Sequence, residues 1–564
     1  MRWVQTVSSG LAVVVLAGCA TAPPPPPLQP LASPEAQFLI GRVADLRGDS
    51  AGAAESLLEA ARADSANPVI VLSALRAALE AGDFERALEA ARMADALEAA
   101  TPEAALTLAT DAIAKGKHQV ADAYLSDVHG SPLARTARET LSAWSFAARG
   151  RTDAALALLA ADTETPLGPL LSLQRAMMLD RAGRNAEALA AYKASEAGGL
   201  RTPTARILQA RLLERMGRRD EALALLDASG DQTVLNARER ARIESAARAP
   251  RLERAESGAA ISLMTLASLL AGQAPADLVT PYLTLALRLD PKLDAARLVF
   301  AETIQAEAEG GDEALGAALR ILEGVPESSP LATLALVRKA FILRALERDE
   351  DALQAAMAAV AQADTPTAQR ALGDLYRSLR RYAEAEAIYD RLVKAGAGDD
   401  WRLLFARGAM RERLGRWRDA EADLLKALEI EPDQPEVMNY LAFGWVERGE
   451  NEAKALAMLS AAVAASPDSG HIIDSLGWAH FKRGDYELAL VHLERAVELE
   501  PNNAEVNDHL GDLYWRLGRK REAGFQWTRA LSLEPEPDHA TRLNAKLKQG
   551  LPPLAAVKPL ARAP

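Results

Sequence analysis

The chain has 564 residues, 49% of them hydrophobic and 25% charged, an ordinary globular balance that excludes wholesale disorder. Its net charge of −13 would repel nucleic acid and anionic lipid alike, and no basic block stands out against that background, so non-specific binding to either is excluded. A single cysteine, Cys19, excludes any intrachain disulfide, and stability must come from packing.

Residues 1–18 read as a secretory signal: Arg2 is the positive start and Val7 to Ala17 form an apolar core too short to span a bilayer. The closing Leu16-Ala17-Gly18-Cys19 resembles the bacterial lipobox, which implies that Cys19 is acylated and becomes the mature N-terminus. The alternative is an ordinary signal peptide cut nearby at Ala20 or Ala22. Two or more acyl chains, at about 0.8 kcal/mol per buried methylene, would hold the protein on a membrane stably. By the same resemblance, Ala20 after the cysteine implies the periplasmic face of the outer membrane. Residues 19–34 follow as a lipidated cysteine and spacer, because Pro23 to Pro27, Pro30 and Pro34 favour stiff polyproline II.

Amphipathic helical pattern begins at Glu35 and keeps a period of 34 residues. Gly48-Asp49 returns as Gly82-Asp83, Ala53 as Ala87, and Leu476-Gly477 as Leu510-Gly511. Ala489 returns as Ala523, Ala496 as Ala530, and Pro467 as Pro501 and Pro535. Gly suits the tight turn inside a helix pair, Ala lets two backbones approach, and Pro cannot continue a helix but starts one well. Neither helix of such a pair buries its apolar face alone, so neighbours must stack. The pattern predicts an all-α superhelical solenoid of about fourteen antiparallel helix pairs. Residues 35–230 form N-terminal repeats, 231–365 irregular ones with weak marks from Gly230 to Ala259 and a longer turn at Gly310-Gly311, and 366–535 well-formed ones. Residues 536–550 read as a capping helix and 551–564 as a disordered tail.

These marks resemble the tetratricopeptide repeat. From Gly470 they run Leu476-Gly477, His480, Gly484, Tyr486, Ala489, Ala496 and Pro501; the next unit has Leu510-Gly511, Tyr514, Gly518, Ala523, Ala530 and Pro535. A narrower resemblance lies in Ile473-Asp474-Ser475-Leu476-Gly477-Trp478, His509-Leu510-Gly511-Asp512 and Trp515-Arg516-Leu517-Gly518. These segments look like the end of proteobacterial tetratricopeptide lipoproteins. Some of those are adaptors that bring substrates to a periplasmic carboxyl-terminal processing protease. The resemblance implies other envelope proteins as partners, a lipid anchor in the membrane, and no nucleic acid. A scaffold for an outer-membrane assembly, pilus or polysaccharide-export machine is the alternative.

Of the seven Trp beyond the signal, six lie between 401 and 527. The first helix of each pair lines the groove in this fold, and residues three or four apart share its face. That face would carry Phe405, Asn439, Phe443, Asp474, Trp478, Phe481, Asp508, Asp512 and Trp515. Aromatic rings flanked by carboxylates suit an apolar ligand peptide bearing basic residues. Asp474 and Asp508 would repel a terminal carboxylate, which excludes a chaperone-tail receptor. Trp417, Trp445 and Trp527 read as packing residues.

The sequence contains no motif for chemistry. There is no His-x-x-x-His pair or phosphate-binding Gly-x-x-x-x-Gly-Lys loop, and the Gly-x-Ser-x-Gly string at Gly48 to Gly52 coincides with the Gly48-Asp49 turn mark of a repeat, so no metal, cofactor or catalytic residue is expected and the chain reads as a non-enzyme. His471 and His509 could approach across adjacent units, though surface and packing roles suit these histidines better.

Overall fold

The computed structural model describes residues 33–99, 101–159, 165–227, 234–307 and 311–552. The signal segment, Cys19, the polyproline run and the tail from 553 lie outside them. Among the described residues the regular structure is helical: thirty α-helices, of which twenty-eight form fourteen consecutive pairs, with α13 and α30 left over, and a π-turn at Val393–Ala397. The chain divides after Ala332 into two compact units.

Unit 1 opens with six pairs. They are α1 (Pro34–Leu46) with α2 (Ser50–Ala63), α3 (Pro68–Glu80) with α4 (Phe84–Ala96), and α5 (Pro102–Ala114) with α6 (His118–Ser126). Next come α7 (Pro132–Ala148) with α8 (Thr152–Leu158), α9 (Gly168–Arg181) with α10 (Asn185–Ala197), and α11 (Pro203–Arg215) with α12 (Arg219–Asp227). The single helix α13 (Val234–Glu244) precedes α14 (Ala255–Leu270), α15 (Ala276–Leu289), α16 (Asp294–Glu307) and α17 (Asp312–Glu323).

Local chemistry sets these boundaries. Ser33, Thr101, Ser131 and Thr202 each stand just before a proline, and each side-chain oxygen accepts the backbone N–H three residues on, at 3.1–3.3 Å. Proline at the first helical position gives up an N–H that had no helical partner. The turn inside the pair falls on Gly48, Gly82, Gly116 and Gly150, all with φ between 71° and 77°, where a side chain would be strained.

The last helices of unit 1 pack back against its early pairs. Helix α14 is apolar around its whole circumference, and Gly258 to Ala267 are all buried. Gly258 lies against the Trp144 ring on α7, and the Trp144 indole N–H donates to Ser262 Oγ at 3.1 Å. On α15, the Thr284 hydroxyl donates to the Leu79 carbonyl at 2.6 Å and Arg288 reaches Asp111 at 2.7 Å. Phe300 and Ile321 close on Gly82. One continuous core therefore joins helices α2 to α16.

Unit 2 keeps the plain repeat. Its pairs are α18 (Ala332–Ala345) with α19 (Asp349–Gln362), α20 (Pro366–Ser378) with α21 (Tyr382–Leu392), and α22 (Trp401–Arg413) with α23 (Trp417–Ile430). They continue as α24 (Pro435–Arg448) with α25 (Glu452–Ala465), α26 (Gly470–Arg483) with α27 (Tyr486–Leu499), and α28 (Ala504–Arg516) with α29 (Lys520–Ser532). Helix α30 (Pro537–Gln549) ends the stack. The Leu-Gly mark has a packing cause: a Cβ on Gly511 would stand 2.6 Å from the Trp527 ring, so glycine lets the second helix of the pair lay a large side chain on the first helix's backbone. Among the described residues no helix is long and apolar enough to cross a membrane.

Candidate partner-binding groove

Helices α22, α24, α26 and α28, the first members of successive pairs, present the same register positions side by side. The fifth residue of each is Phe405, Asn439, Asp474 and Asp508; the ninth of the last three is Phe443, Trp478 and Asp512. Phe405 is half-buried and meets Tyr440 edge-on, with ring centroids 5.5 Å apart. The Tyr440 hydroxyl faces Glu412 at 3.5 Å, and Glu412 in turn holds Arg448 at 3.1 Å.

Asn439, Phe443 and Asp474 line one cavity of about 640 Å³, together with Tyr440, Trp417, Glu447 and His471. Glu412, Arg413, Arg448 and Glu505 also border it. Asn439 Oδ1 and Asp474 Oδ1 are buried there without a hydrogen-bond donor, and the Trp417 indole N–H without an acceptor. A buried polar atom with no partner costs about 1–3 kcal/mol, so these three atoms favour anything that supplies the missing hydrogen bonds.

Trp478 and Phe481 lie next to this cavity and form a stack with His509. The Trp478 ring is 4.7 Å from Phe481 and 4.0 Å from His509, all nearly parallel, and its indole N–H donates to Glu447 at 2.6 Å. His509 Nδ1 bonds Asp474 Oδ2 at 2.7 Å inside the core. Burial opposes charge on this imidazole, but the adjacent Asp474 carboxylate outweighs it and raises its pKa to about 9. His471 is likewise raised: burial opposes charge, and Glu436 and Glu500, each 3.1 Å away, prevail. The two histidines thus each find their own carboxylates.

Asp508, Asp512 and Trp515 sit beneath α30. Lys546 Nζ on α30 lies 2.7 and 2.8 Å from the Asp508 oxygens and 2.8 Å from Asp512, and His539 adds a bond to Asp508 at 3.0 Å. Gly550 presses on the Trp515 ring, and Arg516 donates to the Pro552 carbonyl at 2.8 Å. The two aspartates expected to face a ligand are therefore neutralised by α30, as Asp474 is by His509. Trp417, Trp445 and Trp527 are buried between helices, with the Trp527 N–H on Asp512 at 2.9 Å.

Sequence reading missed Tyr440, Glu447 and His471 as cavity residues. A signal existed, since Glu447 lies four residues from Phe443 and Tyr440 three before it. Among the described residues, no group of three or more His, Cys, Asp or Glu side chains could hold a metal ion.

Comparison with known proteins agrees with this architecture. The tetratricopeptide repeat profile matches residues 340–400, 370–435 and 504–537, and a TPR repeat profile matches 477–518. No curated protein matches the chain. Among solved structures, a tetratricopeptide repeat protein from Parabacteroides merdae is 19% identical over 45% of this chain and 97% of its own, with a TM-score of 0.38. The APC/C hetero-tetramer Cut9-Hcn1 gives 14% identity over 92% and 96%, with a TM-score of 0.39. A thermophilic TPR protein of Thermus thermophilus gives 24% over 33% and 100%, with a TM-score of 0.30. Stacked helix pairs, their glycine turns and these matched segments together identify residues 340–435 and 477–537 as tetratricopeptide repeats, the scaffold of a protein–protein interaction module.

Proposed function

We propose that this protein is a lipid-anchored adaptor of the bacterial envelope, which holds a partner protein in the inner groove of unit 2. The observation that carries the binding role is the cavity at Phe443 and Asp474, with three buried polar atoms lacking partners among buried and half-buried aromatic rings. Cys19 would take the acyl chains, and the anchor would place the protein on the periplasmic face of the outer membrane. Confinement to a surface raises the effective concentration of whatever the groove holds. The residues Ile473 to Trp478 and His509 to Asp512, which resemble envelope adaptors, support delivery of substrates to a carboxyl-terminal processing protease.

The test combines localisation and turnover. Wild-type protein should fractionate with the outer membrane and Cys19→Ser with the soluble periplasm. The purified mature chain should accelerate degradation of a substrate by the processing protease of the same organism, and Phe443→Ala should remove that acceleration. Stable co-purification with export or assembly components, without any effect on proteolysis, would replace delivery by a scaffold role.

A further inference from the structure

We propose that the cavity at Asn439, Phe443 and Asp474 is a specificity pocket for a lysine or arginine side chain of the partner; this rests on the reading of the groove as a partner site. The chain itself shows how buried aspartates on these helices accept such a group. One repeat further on, the register equivalents of Asp474 and Trp478 are Asp508 and Asp512, and the cation of Lys546 bridges them at 2.7–2.8 Å. Leu543, three residues earlier on the same helix, is fully buried in the core formed with Leu510 and Trp527. A cation carried on an apolar helix face thus pairs the buried aspartates of this repeat where the next helix of the stack packs on them.

At the cavity, two acceptors at the fifth positions of α24 and α26 lack a donor. Asp474 is 4% exposed; its Oδ2 holds His509, and its Oδ1 has no partner. Asn439 Oδ1, at the equivalent place on α24, has none either. A carbonyl and a carboxylate oxygen ask for N–H donors, which Lys and Arg supply in number and a carboxylate or hydrocarbon ligand does not. Tyr440 and Phe443 offer rings against which the aliphatic stem or a guanidinium plane can lie.

The neighbouring charges allow this. Arg448 is held by Glu412 at 3.1 Å and lies over the Trp417 ring, and His471 is held between Glu436 and Glu500. Glu447 takes Lys482 at 3.2 Å and the Trp478 N–H. Arg413 is the cation on the rim that would oppose an incoming one, and Glu505 is the carboxylate that would favour it. The unpartnered Trp417 N–H fits a backbone carbonyl of the same partner, so the occupant is a peptide segment and not a free amine.

The experiment is selection of a phage-displayed random peptide library on the full mature chain, with binders to Phe443→Ala subtracted, followed by anisotropy with the recovered peptides at about pH 7.5. The expected result is a recurring Lys or Arg whose replacement by Gln weakens binding about tenfold or more, a ratio that falls to about one in Asp474→Asn. Asn439→Leu, which leaves the His509 contact intact, should lower the same ratio. Phe443-dependent peptides with no recurring basic residue, or a ratio unchanged in both variants, would overturn the pocket while the groove stands. No Phe443-dependent peptide at all would overturn the groove itself.

Discussion

Substituting Asp474 by Asn changes one atom type and removes the charge that keeps His509 protonated in the core. His509 ionises near pH 6.5 when free and at about 9 in the folded protein, because Asp474 prevails over burial. A folded pKa above the unfolded value means stability fully present below the unfolded pKa and lost as pH rises through the folded one. The difference converts to about 3 kcal/mol, present below about pH 6.5 and gone above about pH 9. In Asp474→Asn only the more weakly acting Glu505 and Asp508 still favour the imidazolium against burial, so most of this term vanishes. Wild type should therefore exceed the variant by about 3 kcal/mol or more at about pH 6, and the gap should shrink by roughly that amount by about pH 9.5. Urea unfolding followed by Trp fluorescence is a suitable assay, because six of the seven Trp beyond the signal lie in unit 2. A chain of two units need not unfold in one step, so the difference between the two proteins is the quantity to read. Parallel pH profiles for wild type and variant would refute the reasoning, as would a His509 proton signal titrating at the free value.

Three further perturbations follow from other contacts. Lys546→Ala leaves Asp508 and Asp512 buried without their cation, and should cost about 3 kcal/mol and raise hydrogen exchange across α30 first; unchanged protection there would show that the ion pairs do not hold the helix. Trp144→Ala opens the core between α7 and α14 and should cost roughly 3–5 kcal/mol, read as early proteolysis within unit 1. Glu347 is exposed and takes the left-handed turn position, φ 58°, that glycine holds in other repeats, so Glu347→Gly should stabilise by about 0.5–1 kcal/mol; a loss in urea midpoint would contradict the strain argument.

Sequence made the repeat legible because each mark records a contact between near neighbours. Gly511 is glycine since Trp527, 16 residues on, lies on it, and Gly82 since the turn itself needs a positive φ; both constraints are local to one repeat. Groove positions followed from the same register, which brought Asn439, Phe443 and Asp474 to one cavity. Periodicity carries nothing about partners many repeats away. Thr284 bonds Leu79 across 205 residues, and Trp144 bonds Ser262 across 118, and no 34-residue beat encodes either. The one hint was composition: α14 is apolar all round, which suits a central helix better than an amphipathic repeat member. Charge was misjudged for a related reason. Asp474, Asp508 and Asp512 looked like free negatives on a face, whereas His509 and Lys546, 34 to 38 residues later, neutralise them.

Two ways of satisfying a repeat's inner face coexist in this chain, and they account for where binding can occur. In unit 1 the inner positions on α3, α5 and α7 are met by α14 and α15, through Trp144–Ser262, Thr284–Leu79 and Arg288–Asp111. Such contacts add to one core and stiffen it, and they use the hydrogen-bonding groups a ligand would need. In unit 2 Asp508 and Asp512 are met from within by α30, and one oxygen of Asp474 by His509. The positions before α28 retain an Asn439 and an Asp474 oxygen without donors and a ring-lined cavity of about 640 Å³. Leaving those atoms unmet costs the isolated protein stability, and a partner that supplies their donors recovers it. Binding energy at this groove then comes from supplying donors to oxygens the fold leaves unmet, as Lys546 supplies one to Asp508 and Asp512, so removing α30's cation and removing the partner's cation should weaken two neighbouring sites by the same chemistry.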